Sequence, residues 1–237
     1  MDAYPIRYEF RLDDGQTVTL NVRLNPKTLA LCDPPPQPVP DWAKLGQNRC
    51  PGCALPDTEA HCPVAAHLAG VVESFSRTFS YVTAEVHVVT PEREYSRRSD
   101  IQTSLASLMG IYMVSSGCPA LSALRPMVRF HLPFATELDT VYRAASMYLV
   151  AQFLRTRAGL KPDWELKGLA KAYDQIGEVN FAFASRLRHA VKRDANVNAV
   201  VLLDLFARAM PPTIGEGLEQ LRDLFDFWLS PSSPIDP

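Results

Sequence analysis

The sequence lacks a strong excess of charge of either sign. Its 24 basic and 26 acidic side chains leave a formal net charge of -2, whereas general nucleic-acid and membrane-surface binders usually collect basic charge. No uninterrupted apolar run approaches the roughly 20 residues of a membrane span. The first residues, Met1–Pro5, show no basic-then-apolar signal pattern. We therefore predict a soluble cytoplasmic protein that binds neither nucleic acid nor membrane.

The usual catalytic signatures are missing as well. The chain contains no G-x-S-x-G, no H-E-x-x-H, no glycine-rich phosphate loop and no dinucleotide fingerprint. This lowers the expectation of catalysis, although enzymes can be built from scattered residues. Glycine is also sparse, with 11 glycines against 20 prolines. Prolines cluster at 33–40, which predicts a stiff, extended connector, with a partner-binding polyproline segment as the alternative.

Cysteine is scarce too, but four of the five cysteines fall in three short motifs. Cys50 and Cys53 belong to CPGC, Cys62 to HCP, and Cys118 to SGCP. Two residues between the first pair allow a tight turn to direct two thiolates at one ion. Cys62 and Cys118 each precede a proline, which suits the first position of a helix, where free N–H groups favour thiolate. We predict a metal site that joins two distant parts of one fold.

The identity of the metal stays open at this point. Zinc takes four thiolates in a tetrahedron, and a [4Fe–4S] cluster also takes four cysteines; we favour zinc. His61 or His67 could replace Cys118 as the fourth ligand. In other interpretations Cys118 is an inert buried thiol, or Cys50 and Cys53 form a redox pair. Disulfides are a further alternative, although five cysteines would leave one unpaired. Cys32 is expected to be a bystander.

The hydrophobic pattern predicts an α+β protein: a small N-terminal β-unit, the cysteine metal cluster and a mainly α-helical C-terminal bundle. Alternation on both sides of Asp14-Gly15 predicts a hairpin within 4–31, with a third short strand at 28–31. Residues 82–88 alternate again, and the charged stretch 92–98 is a partner strand or an exposed loop. Helices are expected at 63–77, 101–115, 136–157 (with residue 139 as the alternative start), 162–176, 178–193, 196–210 and 218–229.

Two lobes follow from this order of elements. Residues 1–98 hold the β-unit, the proline-rich connector and the cysteine cluster. Residues 99–237 form the helical domain, with a disordered polar tail from residue 230. If Cys118 joins the other three cysteines, the metal ties the two lobes together and restricts the unfolded chain.

A second group of polar residues is expected near the cysteines. His131 could serve in acid–base chemistry if burial shifts its pKa, and the alternative is a packed histidine bonded to backbone groups. Arg143 is expected to form an ion pair with Glu137 or Asp139, and the four-residue spacing suits Asp139. In the alternative, Tyr142-Arg143 near a helix N-terminus binds an anion. The full group comprises Asp100, Gln102, His131, Glu137 and Arg143.

The motifs CPGC, HCP, SGCP and FHLPF (residues 130–134), in this order, resemble a family of uncharacterised bacterial proteins defined as a domain of unknown function. The resemblance covers most of the chain. It implies a bacterial cytoplasmic protein whose cysteines act together, and it implies no reaction.

The leading hypothesis is a non-enzymatic cytoplasmic protein with a structural zinc site at Cys50, Cys53, Cys62 and Cys118. It would act through contact with another protein, and a homo-oligomer is compatible with this. The second hypothesis is an iron–sulfur redox or sensor protein. The third is a metal-dependent enzyme with three cysteine ligands and an open ligand position.

Overall fold

The predicted hairpin opens the fold in the computed structural model, which describes residues 2–230. Strand β1 (Tyr4–Leu12) pairs with β2 (Thr17–Leu24), and Gly15 takes a φ of +87° in the turn. Strands β3 (Thr83–Val89) and β4 (Glu94–Asp100) complete an antiparallel sheet in the order β2-β1-β3-β4. Alternate residues of a strand face the same side of the sheet. In β1 and β3 the side chains of one such face are buried.

Two further expectations concern the edges of the sheet. The predicted strand at 28–31 is wrong, since it contributes only an isolated bridge between Leu24 and Leu31. The charged stretch 92–98 lies mostly in β4, at the edge of the sheet and paired only with β3. Charged side chains are favourable there because an edge strand faces solvent and must not recruit another strand.

The helices begin largely where the local capping residues predict. Asp100 accepts the N–H of Thr103 at 2.9 Å, and Thr136 and Asp139 form a reciprocal capping box. The helices within the described chain are α1 (Pro63–Ser74), α2 (Ile101–Ser115), α3 (Arg125–Arg129), α4 (Glu137–Arg157), α5 (Lys167–Arg188), α6 (Ala195–Gly215) and α7 (Asp226–Leu229). Short 3₁₀ segments occupy Asp41–Ala43, Pro119–Leu124 and Glu219–Phe225.

The two helices predicted at 162–176 and 178–193 are one helix, α5. Gly177 lies inside it and is buried. A glycine within a helix costs about 1 kcal/mol relative to alanine, but the buried stripe of α5 continues from Tyr173 and Ile176 to Phe183 and Leu187. Packing of that stripe outweighs the local preference of the glycine.

The predicted stop of the sixth helix at Pro211-Pro212 is also wrong. Helix α6 continues to Gly215 with both prolines inside it. A proline removes its own N–H donor and crowds the carbonyl four residues before it, but its own carbonyl still accepts a hydrogen bond. The N–H of Glu216 donates to Pro212 O at 2.9 Å, so the last turn closes beyond the prolines.

The last predicted helix, 218–229, is divided into the 3₁₀ segment Glu219–Phe225 and the short helix α7. Of the four side chains expected to point inward, only Leu221 is buried. Leu224, Phe225 and Trp228 are exposed. The predicted disordered tail lies, after Ser230, outside the described residues.

Helix α2 lies at the centre of the molecule. It packs against the sheet, α1 and α6, and α6 packs in turn against α5. Buried apolar side chains of the sheet and of the helices form one continuous core. The division of the chain at residue 98 stays a prediction.

One described helix, α6, is long and apolar enough to cross a membrane, judged by length and composition only. A second span would require α2 and residues Pro119–Arg129 to act as one span, although they are bent by 112°. Helix α6 packs between α5 and α2, and core helices of soluble proteins have the same length and composition.

Candidate metal centre and the neighbouring cavity

The loop that carries Cys50 and Cys53 is fixed at its base. The N–H of Cys62 donates to Ala43 O at 2.8 Å, and the N–H of Leu45 donates to Ala60 O at 3.0 Å. Arg186 of α5, only 3% exposed, donates from Nη1 to the carbonyls of Trp42 and Lys44, both at 2.7 Å. The helical bundle therefore holds the start of the cysteine loop through one buried arginine.

The CPGC motif forms the tight turn that its spacing predicts. The N–H of Cys53 donates to Cys50 O at 3.1 Å. The turn lies against α5, because a Cβ on Gly52 would come within 3.3 Å of Glu178 Oε2. Arg49 hydrogen-bonds to Asp57 and to Leu55 O. Its hydrogen bonds to Asp57 and then to Cys53 raise the pKa of the Arg49 guanidinium.

Cys62 and Cys118 occupy the N-cap positions that the following prolines predict. Cys62 precedes α1, and Cys118 precedes the segment Pro119–Leu124. Gly117, with a φ of +99°, ends the connection from α2 in the left-handed region that glycine tolerates best. Burial raises the pKa of the Cys118 thiol, and backbone hydrogen bonds from Ala120 and Leu121 oppose that rise.

The four predicted thiols, from three segments that are distant in sequence, lie near enough to influence one another electrostatically. Burial, followed by the charges of Cys62, Cys118 and Cys53, raises the pKa of Cys50 to about 11. The charge of Arg186 lowers it. The pKa of Cys118 is raised in the same way, by burial first and then by Cys62 and Cys53. The four thiols are therefore electrostatic neighbours beside one buried cation.

All five cysteines are free thiols, so the disulfide interpretation does not hold in this structure. The four clustered cysteines are half-buried, whereas Cys32 is exposed. Within residues 2–230, no three or more His, Cys, Asp or Glu side chains are already arranged as a set that could hold a metal ion. His61 and His67 are not among the main neighbours that shift the pKa of Cys50. The structure thus shows converging thiols and not a closed ligand shell.

The sequence did not reveal that a buried arginine, Arg186, lies beside the thiols. Burial lowers the pKa of Arg186, and the charges of Cys62, Cys50 and Cys53 oppose that effect. In the sequence Arg186 is one of several basic residues near the end of a predicted helix. Its position on the buried stripe, one residue before Leu187, is the only local signal that it points inward.

The second predicted group of polar residues is divided by the fold. His131 and Arg143 line a cavity beneath α2, whereas Asp100 is used as the cap of α2. The Tyr8 hydroxyl and His131 Nε2 form a hydrogen bond of 2.6 Å. Burial, and then the charge of Arg143, lowers the pKa of His131 to about 3.

The expected ion pair between Arg143 and Asp139 does not form. Asp139 instead closes the capping box with Thr136. Arg143 donates from Nη2 to Met127 O and Phe130 O, both at 2.9 Å. The four-residue spacing allows an ion pair between Arg143 and Asp139, but the Asp139 carboxylate is already used in the N-terminal cap of α4.

Comparison with known proteins supports the resemblance drawn from the motifs. A family model described as Domain of unknown function (DUF6901) matches residues 6–226. No curated protein and no solved structure matches the chain. Because the match covers nearly the whole sequence, the protein belongs to the DUF6901 family.

Proposed function

We propose that Cys50, Cys53, Cys62 and Cys118 bind one zinc ion, which fastens the cysteine loop and α1 to the end of α2 and supports contact with another protein in the cytoplasm. The observation that carries this proposal is the convergence of four thiols from three distant segments beside Arg186. Free cysteines usually act as small buried hydrophobes, and that role does not require four of them to lie near one another.

The chemistry of the donor set fits zinc. Four thiolates satisfy a tetrahedral structural site without a water ligand. Such a centre carries net negative charge, and Arg186 and Arg49 lie where they offset it. The N–H of Leu121 donates to Cys118 O at 3.2 Å and holds the backbone of this ligand in place, while the backbone of Ala120 and Leu121 lowers the pKa of the thiol against the effect of burial. The four side chains must close on the ion to complete the site, because among the described residues they do not form a ready ligand set.

The raised pKa values of Cys50 and Cys118 make these thiols neutral near pH 7 without metal. Zinc must then displace protons when it binds. Affinity should therefore fall as pH falls, and binding should release protons to the buffer. Calorimetric titration with zinc in buffers of different ionisation enthalpy measures that release directly.

Exposed apolar side chains support the interaction part of the proposal. Helix α4 exposes Leu149, Val150, Phe153 and Leu154, the last three at 59% each. Contiguous apolar patches on a protein surface usually mark contact with another chain or a ligand. Light scattering after size exclusion tests the simplest case, since a second copy as the partner doubles the molar mass.

The deciding experiment is elemental analysis with a UV–visible spectrum on full-length protein purified without oxygen. We expect about one zinc per chain and no visible absorbance. Cys118→Ala should lose the metal, and Cys32→Ala, which removes the exposed cysteine outside the cluster, should retain it. Iron with sulfide and visible absorbance would favour the iron–sulfur alternative.

Two other outcomes count against a closed zinc site. A Cys118→Ala protein that keeps its zinc and its fold would indicate a three-cysteine site with an open ligand position. Protein that contains neither zinc nor iron would refute the proposal and would indicate that the cysteines serve only as buried packing residues.

A further inference from the structure

A cavity of about 240 Å³ lies among α2, α3, α4, α5, α6 and the segment Pro119–Leu124. It is far larger than the roughly 15 Å³ that a single water molecule needs. Its walls are mainly apolar, with side chains such as Ile111, Leu121, Leu203 and Phe206. None of the four clustered cysteines lines it. Binding sites for small molecules commonly combine such walls with a few polar groups.

Arg143 is the single cation among the lining residues, and no aspartate or glutamate lines the cavity. Its Nη2 donates to two backbone carbonyls. Within the described part of the chain, its Nε and Nη1 have no hydrogen-bond partner and the guanidinium has no ion-pair partner. The nearby Asp139 is held in the capping box of α4. Arg143 therefore presents a positive charge and free N–H donors to a mainly apolar space.

Asn180 of α5 is a second polar group in the cavity wall. It is 2% exposed, and its amide bonds to no other residue between 2 and 230. A buried amide is unfavourable unless some group satisfies its hydrogen bonds. The unpartnered amide thus points to a ligand with a polar end.

His131 adds no charge to this space. Its Nε2 is bonded to the Tyr8 hydroxyl, and burial together with Arg143 lowers its pKa to about 3, so the ring is neutral near pH 7. The cavity wall then holds one positive charge at neutral pH. A ligand with one negative charge balances it, whereas a phosphate dianion would bring a second, uncompensated charge into a mainly apolar space.

We propose that this cavity binds a small monocarboxylate with an apolar body. The carboxylate accepts hydrogen bonds from Arg143 and Asn180, and the apolar part lies against α2 and α6. The planar fork of an arginine matches the two oxygens of a carboxylate. The apolar walls supply the remaining affinity by removing the ligand body from water.

The test compares octanoate with octanamide, its neutral counterpart of equal length, by titration calorimetry on the full-length protein. We expect one octanoate per chain and an affinity at least about tenfold above that of octanamide, because hydrogen bonds to charged groups are the stronger ones. Arg143→Met and Asn180→Leu should each lower the octanoate affinity about tenfold or more. Arg157→Met removes an exposed cation from the end of the same helix and should leave the affinity unchanged.

Several results would overturn the proposal: no binding of octanoate, equal affinity for octanoate and octanamide, or preferential binding of inorganic phosphate. Arg143→Met can also loosen the backbone at Met127 and Phe130, which its side chain holds. Asn180→Leu avoids this problem because its amide has no partner in the described protein. Unchanged octanoate affinity in a folded Asn180→Leu protein refutes the proposed carboxylate site.

Discussion

Replacement of Arg186 by methionine should destabilise the protein and release the cysteine loop. Arg186 is 3% exposed, and its guanidinium donates two hydrogen bonds of 2.7 Å, to Trp42 O and Lys44 O. Methionine fills a similar length of apolar space but donates nothing. Both carbonyls at the base of the loop then lose a charged donor.

The magnitude follows from those two contacts. A hydrogen bond to a charged group contributes about 1.5–3 kcal/mol. Removing two of them should therefore lower the free energy of unfolding by at most about 3–6 kcal/mol. Relief from the cost of burying the guanidinium offsets part of this. We therefore expect Arg186→Met to lower the free energy of unfolding by about 3 kcal/mol, a large share of the 5–15 kcal/mol typical of a native domain.

Urea unfolding followed by circular dichroism measures this loss. Arg188→Met is the matched control, since within residues 2–230 this exposed arginine donates a side-chain hydrogen bond only to Ser185 Oγ, at 3.4 Å. Its removal should cost under about 0.5 kcal/mol. If zinc binds at the thiols, Arg186→Met should also retain less zinc than Arg188→Met. A loss below about 1 kcal/mol for Arg186→Met would refute the role given to this arginine.

Three further predictions address other parts of the fold. The lowered pKa of His131 means that the unfolded chain binds a proton between about pH 6.5 and pH 3 that the folded chain does not. The free energy of unfolding should therefore decrease as the pH is lowered through that range, by up to about 1.4 kcal/mol per pH unit. His131→Gln should make the unfolding midpoint less dependent on pH. Gly110→Ala should raise stability by about 0.5–1 kcal/mol in urea unfolding, because its Cβ would meet only Leu203 Cδ2, at 3.7 Å; a loss of stability would contradict this. Asp100→Ala removes the acceptor of the Thr103 N–H and should lower the free energy of unfolding by about 1 kcal/mol. The conservative Asp100→Asn keeps an acceptor oxygen and should retain most of that stability.

Much of the local structure could be predicted because it depends on neighbours in the sequence. Alternating residues and Asp14-Gly15 specify the hairpin of β1 and β2. Asp100 and Thr136 mark helix starts because their side chains cap the next turn. The same reasoning places Cys62 and Cys118 at N-cap positions.

Where local signals compete with packing, the sequence was a poorer guide. Gly177 and Pro211-Pro212 are local breakers, yet α5 and α6 continue through them. The buried stripe of α5 and the carbonyl acceptors of α6 decide these cases. Leu224 and Trp228 show the reverse, since an apolar pattern was expected to be buried and the fold places both at the surface.

The sequence by itself determined the composition of the candidate site: four cysteines in three motifs, with three of the four cysteines directly before a proline. Only the tertiary structure decided that these motifs lie near one another, and that the buried Arg186 of α5 lies beside them and holds the base of their loop. It also placed Arg143 and Asn180 in one cavity wall. The reason is that spacing controls the direction of side chains within one helix or turn, whereas contacts between distant segments depend on how a whole core packs.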